Sequence, residues 1–528
     1  MARKDRCGEK DISKMNVTLI YTETDLLALG MRSVSSVLKK AGHQTRLILL
    51  GSEQKNYSSR TFEEIKGLVK HSDVIGISSF SRSSDKARQV IENLKSLDKL
   101  IVWGGIHAIL NPEECAEYAD LVCRGEGEDF MLDLMDRIKN EEDWKGIANG
   151  AYRNNGRVVL NDLRPLISDL DKLPVIDYSH DDEFHLKKNG FIQVHTISDG
   201  TEPVTFNGTR GCAFQCNYCS NAKLKELFSG NGQYVRKMSV SKYIEHAKTC
   251  KESFPDSKYF YFADEDFFAR PVNEIREFSE EYPKQIGLPF QCMASPLRIN
   301  EEKFELLVKA GLWRIDMGVE SGSERTKKEI YNRPMSNKAV TRAAQVINKY
   351  PQVVPYYFLI IGNPYEERDD LLETIRFLSD LPHPYYLRTY DLVFLPGTLL
   401  YEFAVRDGII EGKQSSGYEI DFLDGLNYKK HDWKKKNLYL NGLLYLMAGK
   451  STHFRMGLIP RALFELLLHP KFADFNERRT ILIKTMIFFK RCTLKLRGHI
   501  AYFLKKLLHD PIAVYNLRQF LKSKLIKV

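Results

Sequence analysis

From residue 16 to 140 short apolar runs alternate with helical patterns: NVTLIY, a helix to Ala41, TRLILL, a helix near 61–70, DVIGIS, a helix over 84–97, LIVWGG, a short helix from Pro112, DLVCRG, and a helix over 128–139. Runs this continuous fit strands buried on both faces, and their alternation with helices predicts a doubly wound parallel sheet. Such sheets hold ligands outside the carboxyl ends of their strands. The polar or glycine-rich segments that fall there are SSFSRSS at 78–84, GGIHAILNPEE at 104–114 and RGEGE at 124–128.

Residues 147–200 read as a linker with one candidate hairpin, GAYRNNGRVVL. The proline and scattered aspartates of DLDKLPVIDY argue against a buried element. From residue 203 the alternation resumes through PVTFNG, KYFYFA, LPFQCM, LWRIDMG, VVPYYFLII and LRTYDLVFL. Six strand–helix units predict a partial (β/α)6 barrel, with chemistry on the loops after its strands. After about residue 425 the strand signal gives way to helical patterns such as RALFELLLH and AYFLKKLLH. The expected organisation is a doubly wound domain over 1–145, a linker over 146–200, a barrel over 201–425 and a helical region over 426–528; 528 residues exceed what one core usually supports.

Charge changes this picture at one end. Residues 429–528 hold 22 Lys and Arg against 5 Asp and Glu, or +17, so the net +9 leaves −8 for everything before. Three readings of that basic region stay open: a cap over the barrel mouth with a solvated outer face, helices lying on an anionic membrane surface, or contact with nucleic acid, for which no recognisable module is present. The first two together suit an apolar or lipid-like substrate entering beneath the region. The amino terminus lacks the apolar run of a secretory signal, and no window reaches the roughly 18 apolar residues of a membrane span. A cytoplasmic protein, peripheral at the membrane if the basic helices bind lipid, is expected.

Three of the nine cysteines crowd into eight residues: TRGCAFQCNYCSN holds Cys212, Cys216 and Cys219. In a reducing compartment such clusters hold metal or do redox chemistry more often than they form disulfides. A closed zinc site wants four ligands, and nothing nearby offers the fourth. A [4Fe-4S] cluster held by three cysteines keeps one iron open for a substrate or cofactor. The other six cysteines are scattered and read as core or incidental.

The spacing C-x3-C-x-aromatic-C, with Tyr218 at the aromatic position, on a loop after the first strand of a partial barrel, resembles the radical S-adenosylmethionine (SAM) superfamily. The resemblance continues in order around the barrel. FADEDFF places Asp264 and Asp266 where the family presents polar groups to SAM, although Gly-Gly-Glu is the commoner form. GVESGSE places Glu320 and Ser321, LIIGNPYEE places Gly362 as an adenosine contact, and FLPGTLLY ends the sixth strand as in many cobalamin-associated members. Singly, such acidic residues could cap helices and such glycines could turn the chain.

The amino-terminal domain, joined through DLDKLPVIDY to the cysteine loop, resembles the cobalamin-binding domain of cobalamin-dependent radical SAM enzymes. Ser78, Ser79, Gly104, Gly105, Gly125, Glu126 and Gly127 are then the candidate corrin contacts, and His107 a loop residue near the corrin. Many cobalamin domains carry D-x-H-x-x-G; here DLLALG has Leu27 in the histidine's place. No histidine from this motif is therefore expected on cobalt. The resemblance implies a [4Fe-4S] cluster, SAM and cobalamin as cofactors and a flavodoxin- or ferredoxin-type electron donor. It implies an enzyme that generates a 5′-deoxyadenosyl radical, most simply a methyltransferase acting on an unactivated carbon. The alternatives are a cyclase or rearrangement enzyme without net methyl transfer, and a non-catalytic Fe–S scaffold or sensor.

Overall fold

Five parallel strands form the centre of the first sheet: β1 (Asn16–Tyr21), β2 (Gln44–Leu49), β3 (Val74–Ser78), β4 (Leu100–Gly104) and β5 (Leu121–Cys123), in the order β5-β4-β3-β1-β2. They belong to a computed structural model that describes residues 14–23, 28–51, 56–187, 190–194, 203–410, 436–451, 461–479 and 486. The strands are apolar on both faces because helices cover both. Ile20, Ile48, Ile75 and Ile77 pack with Ile65, Val90 and Ile91 on one side, and Val17, Leu19 and Val102 pack with Met31, Phe130 and Leu134 on the other. The chain reverses direction across the sheet between β1 and β3, which opens a crevice at their carboxyl ends.

The segment expected as a linker is built into this sheet at both edges. β6 (Gly150–Asn154) and β7 (Arg157–Leu160) form the anticipated hairpin, antiparallel on β5. β8 (Glu183–Lys187) adds parallel to β2 and is followed by antiparallel β9 (Gly190–Val194). Of the aspartates that argued against burial only Asp177 is buried, and it and the buried polar groups near it are paired. Fully buried Arg32 forks onto Glu183 at 2.7 and 2.9 Å, and His180 and His185 bond the same carboxylate. Asp177 accepts from Ser35 at 2.5 Å and pairs with Lys39 at 2.9 Å. Burial is tolerated because each charge meets a partner.

The second sheet is the barrel wall. β10 (Val204–Phe206) leads into a ribbon of β11 (Thr209–Arg210) and β12 (Arg236–Lys237) that carries the cysteine loop. Then come β13 (Phe260–Phe262), β14 (Phe290–Ala294), β15 (Leu312–Glu320), β16 (Val354–Ile361) and β17 (Tyr385–Asp391), parallel neighbours in the order β10-β13-β14-β15-β16-β17. This is the expected six-stranded partial barrel. In β16 Tyr357, Leu359 and Ile361 are buried in the core under the helices, so the alternate residues face the interior.

The strand signal does not end at 425, because β18 (Gly449–Ser451) adds antiparallel to β17. Its three residues are too few to leave a pattern. The helix Leu438–Met447 buries Leu438, Tyr439, Leu440 and Leu444 in the barrel core, and Leu468 and Ala473 from the next two helices join them. This part of the basic region therefore covers the barrel. Residues 411–435, which hold the expected domain boundary, and 487–528 lie outside the described residues. Among the described residues no helix is long and apolar enough to cross a membrane.

Candidate active site

The ribbon aims the cysteine loop. Gly211 turns it at φ 83°, where a side chain would strike the Tyr234 carbonyl. Cys216 is buried, Cys212 and Cys219 are half-buried, and all three thiols are free. Burial pushes the Cys219 thiol up to about 12 and raises Cys212; Glu265 and the neighbouring thiols push the same way. Main-chain N–H groups of Phe214 and Asn221 hydrogen-bond the Cys212 and Cys219 sulfurs. Three free thiols on one loop, two of them held protonated by burial and met by main-chain N–H donors at sulfur, suit a cationic centre that takes them as thiolates. A single zinc about 2.3 Å from each sulfur would draw the thiols within about 4 Å of one another. Among the described residues no three His, Cys, Asp or Glu side chains are grouped as ligands of one ion. A [4Fe-4S] cluster takes one thiolate per iron, and these residues fit it.

The polar groups around the loop differ from the expected set. Asp264 is fully buried and accepts from Gly208 N at 3.2 Å and Tyr243 Oη at 2.6 Å, anchoring the ribbon rather than facing a ligand. Asp266 accepts from Ser295 N at 3.3 Å and lies 3.1 Å from Arg298 Nε; burial lifts its carboxyl to about 6. Between them Glu265, absent from the expected set, lines the crevice beside Cys219 and Asn221. Burial raises its carboxyl, and Asn221 hydrogen-bonds it. It is the third residue after the apolar run of β13, the place of the glutamate in Gly-Gly-Glu. That offset was the available signal.

Glu320 ends β15 at φ 65°, a left-handed conformation that costs a side-chain residue strain and turns its carboxylate toward the cysteine loop. Burial raises its carboxyl, and Arg333 Nη2 stands 3.8 Å away. Arg333 had no sequence signal. Its Nη1 donates to Tyr218 Oη at 3.2 Å and to Cys216 Sγ at 3.6 Å, Nη2 donates to the Gly318 carbonyl at 2.8 Å, and its buried Nε has no partner. Tyr218 packs edge-on against Tyr331, with ring centroids 5.0 Å apart. Ser321 is spent inside the wall, donating to Glu366 at 3.0 Å and pairing with Thr374 at 3.2 Å. The Gly362 N–H is likewise spent on Asn441 Oδ1, at 2.8 Å.

A cavity of about 540 Å³ lies between the carboxyl ends of the first sheet and the ribbon. Ser78, Gly104, Gly105, Gly125, Glu126 and Gly127 line it as expected. A Cβ on Gly104 would make only an ordinary 3.6 Å contact with Cys123, and on Gly30, also lining the cavity, none within 4 Å. Protein packing does not require glycine at either place, and the bare backbone leaves room for a flat macrocycle, so this lining fits cobalamin. Ser79 is turned away; its buried hydroxyl accepts from Trp103 Nε1 at 3.0 Å. His107, 1% exposed, is turned away as well, with Nδ1 3.1 Å from Ser81 Oγ and Nε2 3.7 Å from Glu114. Neither is among the residues lining the crevice. Residues 25–27 of the DLLALG stretch lie outside the described residues.

Glu126 belongs to a clamp. Arg210 and Arg236, opposite one another on the ribbon, reach the first domain together. Arg210 meets Glu126 at 2.7 Å and Glu128 at 2.6 Å, and Arg236 meets Glu126 at 2.9 Å. Burial alone would raise the Glu128 carboxyl, yet Arg210 and Ser33 hold it below its ordinary value. The cysteine loop, beginning one residue after Arg210, is thereby pinned to the end of β5.

A second cavity of about 500 Å³ opens at the barrel mouth, lined by Ile360, Leu392, Val393 and Leu395 with Leu110 of the first domain. Phe80, Ile106 and Ser220 line both cavities. Ser220, at the end of the cysteine loop, thus shares with Phe80 and Ile106 of the first domain the wall where the two cavities meet.

A family model for a B12 binding domain matches residues 15–135, and one for the radical SAM superfamily matches residues 206–378. The chain is a radical SAM enzyme with a B12-binding domain. The radical SAM enzyme is similar to an uncharacterized methyltransferase of Pyrococcus horikoshii, 28% identical over 361 residues, spanning 66% of this chain and 73% of that protein. It is also similar to an anaerobic magnesium-protoporphyrin IX monomethyl ester cyclase of Rubrivivax gelatinosus, 26% identical over 355 residues, 65% of this chain and 60% of that one. Its fold matches the radical S-adenosylmethionine methyltransferase TsrM from Kitasatospora setae, solved with cobalamin and a [4Fe-4S] cluster bound, at a TM-score of 0.59 and 14% identity over 75% of this chain and 79% of that one.

Proposed function

We propose that this radical SAM enzyme is a cobalamin-dependent methyltransferase acting on an unactivated carbon of an apolar small molecule. The carrying observation is the wall of Phe80, Ile106 and Ser220 shared by the crevice and the mouth cavity. A substrate in the mouth cavity is within reach of both the cysteine loop and the corrin crevice. When bound, the cluster and SAM supply a 5′-deoxyadenosyl radical and cobalamin supplies the methyl group. The chain's own residues hold and orient. Cys212, Cys216 and Cys219 carry the cluster, Glu265 and Glu320 face the ammonium of SAM, and Arg333, with its unpartnered Nε, faces the SAM carboxylate. Ser78, Gly30, Gly104, Gly125 and Gly127 lay backbone and small side chains against the corrin. Ile360, Leu392, Val393 and Leu395 keep water from the reacting carbon. A flavodoxin- or ferredoxin-type protein supplies the electron.

Anaerobically reconstituted protein, given SAM and reductant, is assayed for 5′-deoxyadenosine, S-adenosylhomocysteine and bound corrinoid. Both nucleoside products with bound corrinoid support methyl transfer. Deoxyadenosine without S-adenosylhomocysteine supports instead a cyclase-type reaction, the reading that the Rubrivivax relative favours. Neither product leaves an Fe–S scaffold and ends the enzymatic reading. Histidine coordination in the corrinoid absorption spectrum would defeat the further reading that no first-domain histidine binds cobalt, which the turned-away His107 supports. The basic carboxyl-terminal region is placed at an anionic membrane surface, where it would admit a lipid-like substrate; equal flotation with neutral and anionic liposomes would remove that placement.

A further inference from the structure

The barrel interior carries a charge that neither cofactor site uses. Along β17 Tyr385 and Leu387 are buried beneath the helices, so the two-residue period turns Tyr386, Arg388 and Tyr390 inward. The same period turns Tyr356, Phe358 and Ile360 inward on β16, and Arg314 and Asp316 on β15. Register pairs Phe358 with Arg388 and Ile360 with Tyr390. Arg388 therefore lies one layer below Ile360 and Tyr390, both of which line the mouth cavity.

Arg314 is spent. It grips Asp316 with two bonds, at 2.7 and 3.0 Å. Arg388 is not: its side chain is exposed, donates no hydrogen bond and makes no ion pair to another described residue, and acts on Asp316 only from a distance, through charge. Its guanidinium lies 4.7 Å from the Tyr356 ring centroid, with that of Arg314 at 3.8 Å from the same ring. Tyr356 is itself stacked on Tyr386 at 4.8 Å. The interior layers thus hold two guanidinium groups against one carboxylate. An arginine propped on a ring keeps its N–H fork free and loses little freedom on taking a partner. That fork matches a carboxylate. A phosphate dianion would call for more donors than this layer, with Phe358 beside Arg388, provides.

We propose that Arg388 anchors the carboxylate of the substrate, and that the substrate is an apolar carboxylic acid whose hydrocarbon body fills the mouth cavity. This rests on the reading of that cavity as the substrate site. The acid end points down into the barrel and the body lies against the wall shared with the corrin crevice.

Equilibrium dialysis of the full-length, cluster-reconstituted protein against decanoate, 1-decanol and decyl phosphate tests the assignment without turnover. Wild type is expected to bind decanoate at least tenfold more tightly than decanol, and R388Q to lose about tenfold of decanoate affinity with decanol affinity unchanged. SAM affinity and cluster absorbance of R388Q should match wild type, because Arg388 touches neither. If R388Q fails to take up the cluster, R388K decides: it keeps the charge without the fork and should bind decanoate several-fold more weakly than wild type, with decanol unchanged. Decanoate binding no tighter than decanol in wild type, or undiminished in both variants, overturns the proposal. Decyl phosphate binding more tightly than decanoate overturns the choice of carboxylate. Should the protein form both nucleoside products yet ignore decanoate, the substrate class falls and the methyltransferase reading stands.

Discussion

The two hollows that meet at the cysteine loop are made of different material. The interdomain crevice offers mostly backbone and small groups at strand ends, with Gly30 and Gly104 leaving bare surface that packing does not demand. The mouth cavity and the barrel interior below it are made of side chains from neighbouring strands: Ile360, Tyr390, Arg388, Leu392. A cofactor that does not change can be met by fixed main chain. A substrate is chosen by side chains, which can be exchanged without disturbing the wall that carries them.

The largest expected effect lies between the hollows. Replacing Cys216 with Ser should abolish cluster uptake, read as iron and sulfide content, and with it all deoxyadenosine formation, while far-ultraviolet circular dichroism stays unchanged. Retention of a full cluster would break the division drawn here. Next comes the clamp. Arg210→Gln leaves buried Glu128 without its cation, while Glu126 keeps Arg236, and losing one partner of a buried pair costs about 3–5 kcal/mol, measurable by urea unfolding. The linkage sign is fixed by Glu128. Its carboxyl titrates lower in the folded protein than the ordinary 4.5, so the clamp stabilises above that pH and is lost as pH falls through the folded value. R210Q should flatten that acid limb.

Neighbouring glycines sharpen the comparison further. Gly105 sits at φ 89°, and a Cβ there meets Ser78 Oγ at 2.5 Å, so Gly105→Ala should cost about 1–3 kcal/mol of stability. Gly104→Ala should leave stability within about 0.5 kcal/mol yet weaken hydroxocobalamin binding, because the added methyl takes up space at the lining of the crevice. Equal effects of the two on binding and stability would mean that the crevice glycines serve packing alone. The smallest effect concerns Glu366, whose carboxyl burial lifts to about 8. A raised carboxyl stabilises fully below 4.5 and loses that contribution as pH rises through about 8. Glu366→Gln should remove that component of the pH dependence and leave the components of the other raised carboxyls, Asp266 among them.

What could be read from the chain follows the same division. The cysteine loop was legible because its ligands are local, and the parallel strands because burial on both faces leaves continuous apolar runs. Three consecutive acids, Asp264, Glu265 and Asp266, were not separable, since the turn after β13 decides which faces the loop. Arg333 reaches Cys216 from 117 residues away with no local pattern. The DLDKLPVIDY strap looked like a linker because a buried aspartate paired by Ser35 and Lys39 is, in sequence, only an aspartate. Arg388 was invisible for a related reason: its freedom is a property of the strands beside it.

The clamp also bears on assembly of the enzyme. Arg210 and Arg236 grip residues of the first domain from the ribbon that carries the cysteine loop. The cysteine loop is therefore anchored by contacts to a domain 82 to 84 residues upstream. The two halves are not interchangeable modules. A barrel expressed without its partner domain would present its thiols on an unanchored ribbon, so metal loading becomes a checkpoint on correct folding of the whole chain.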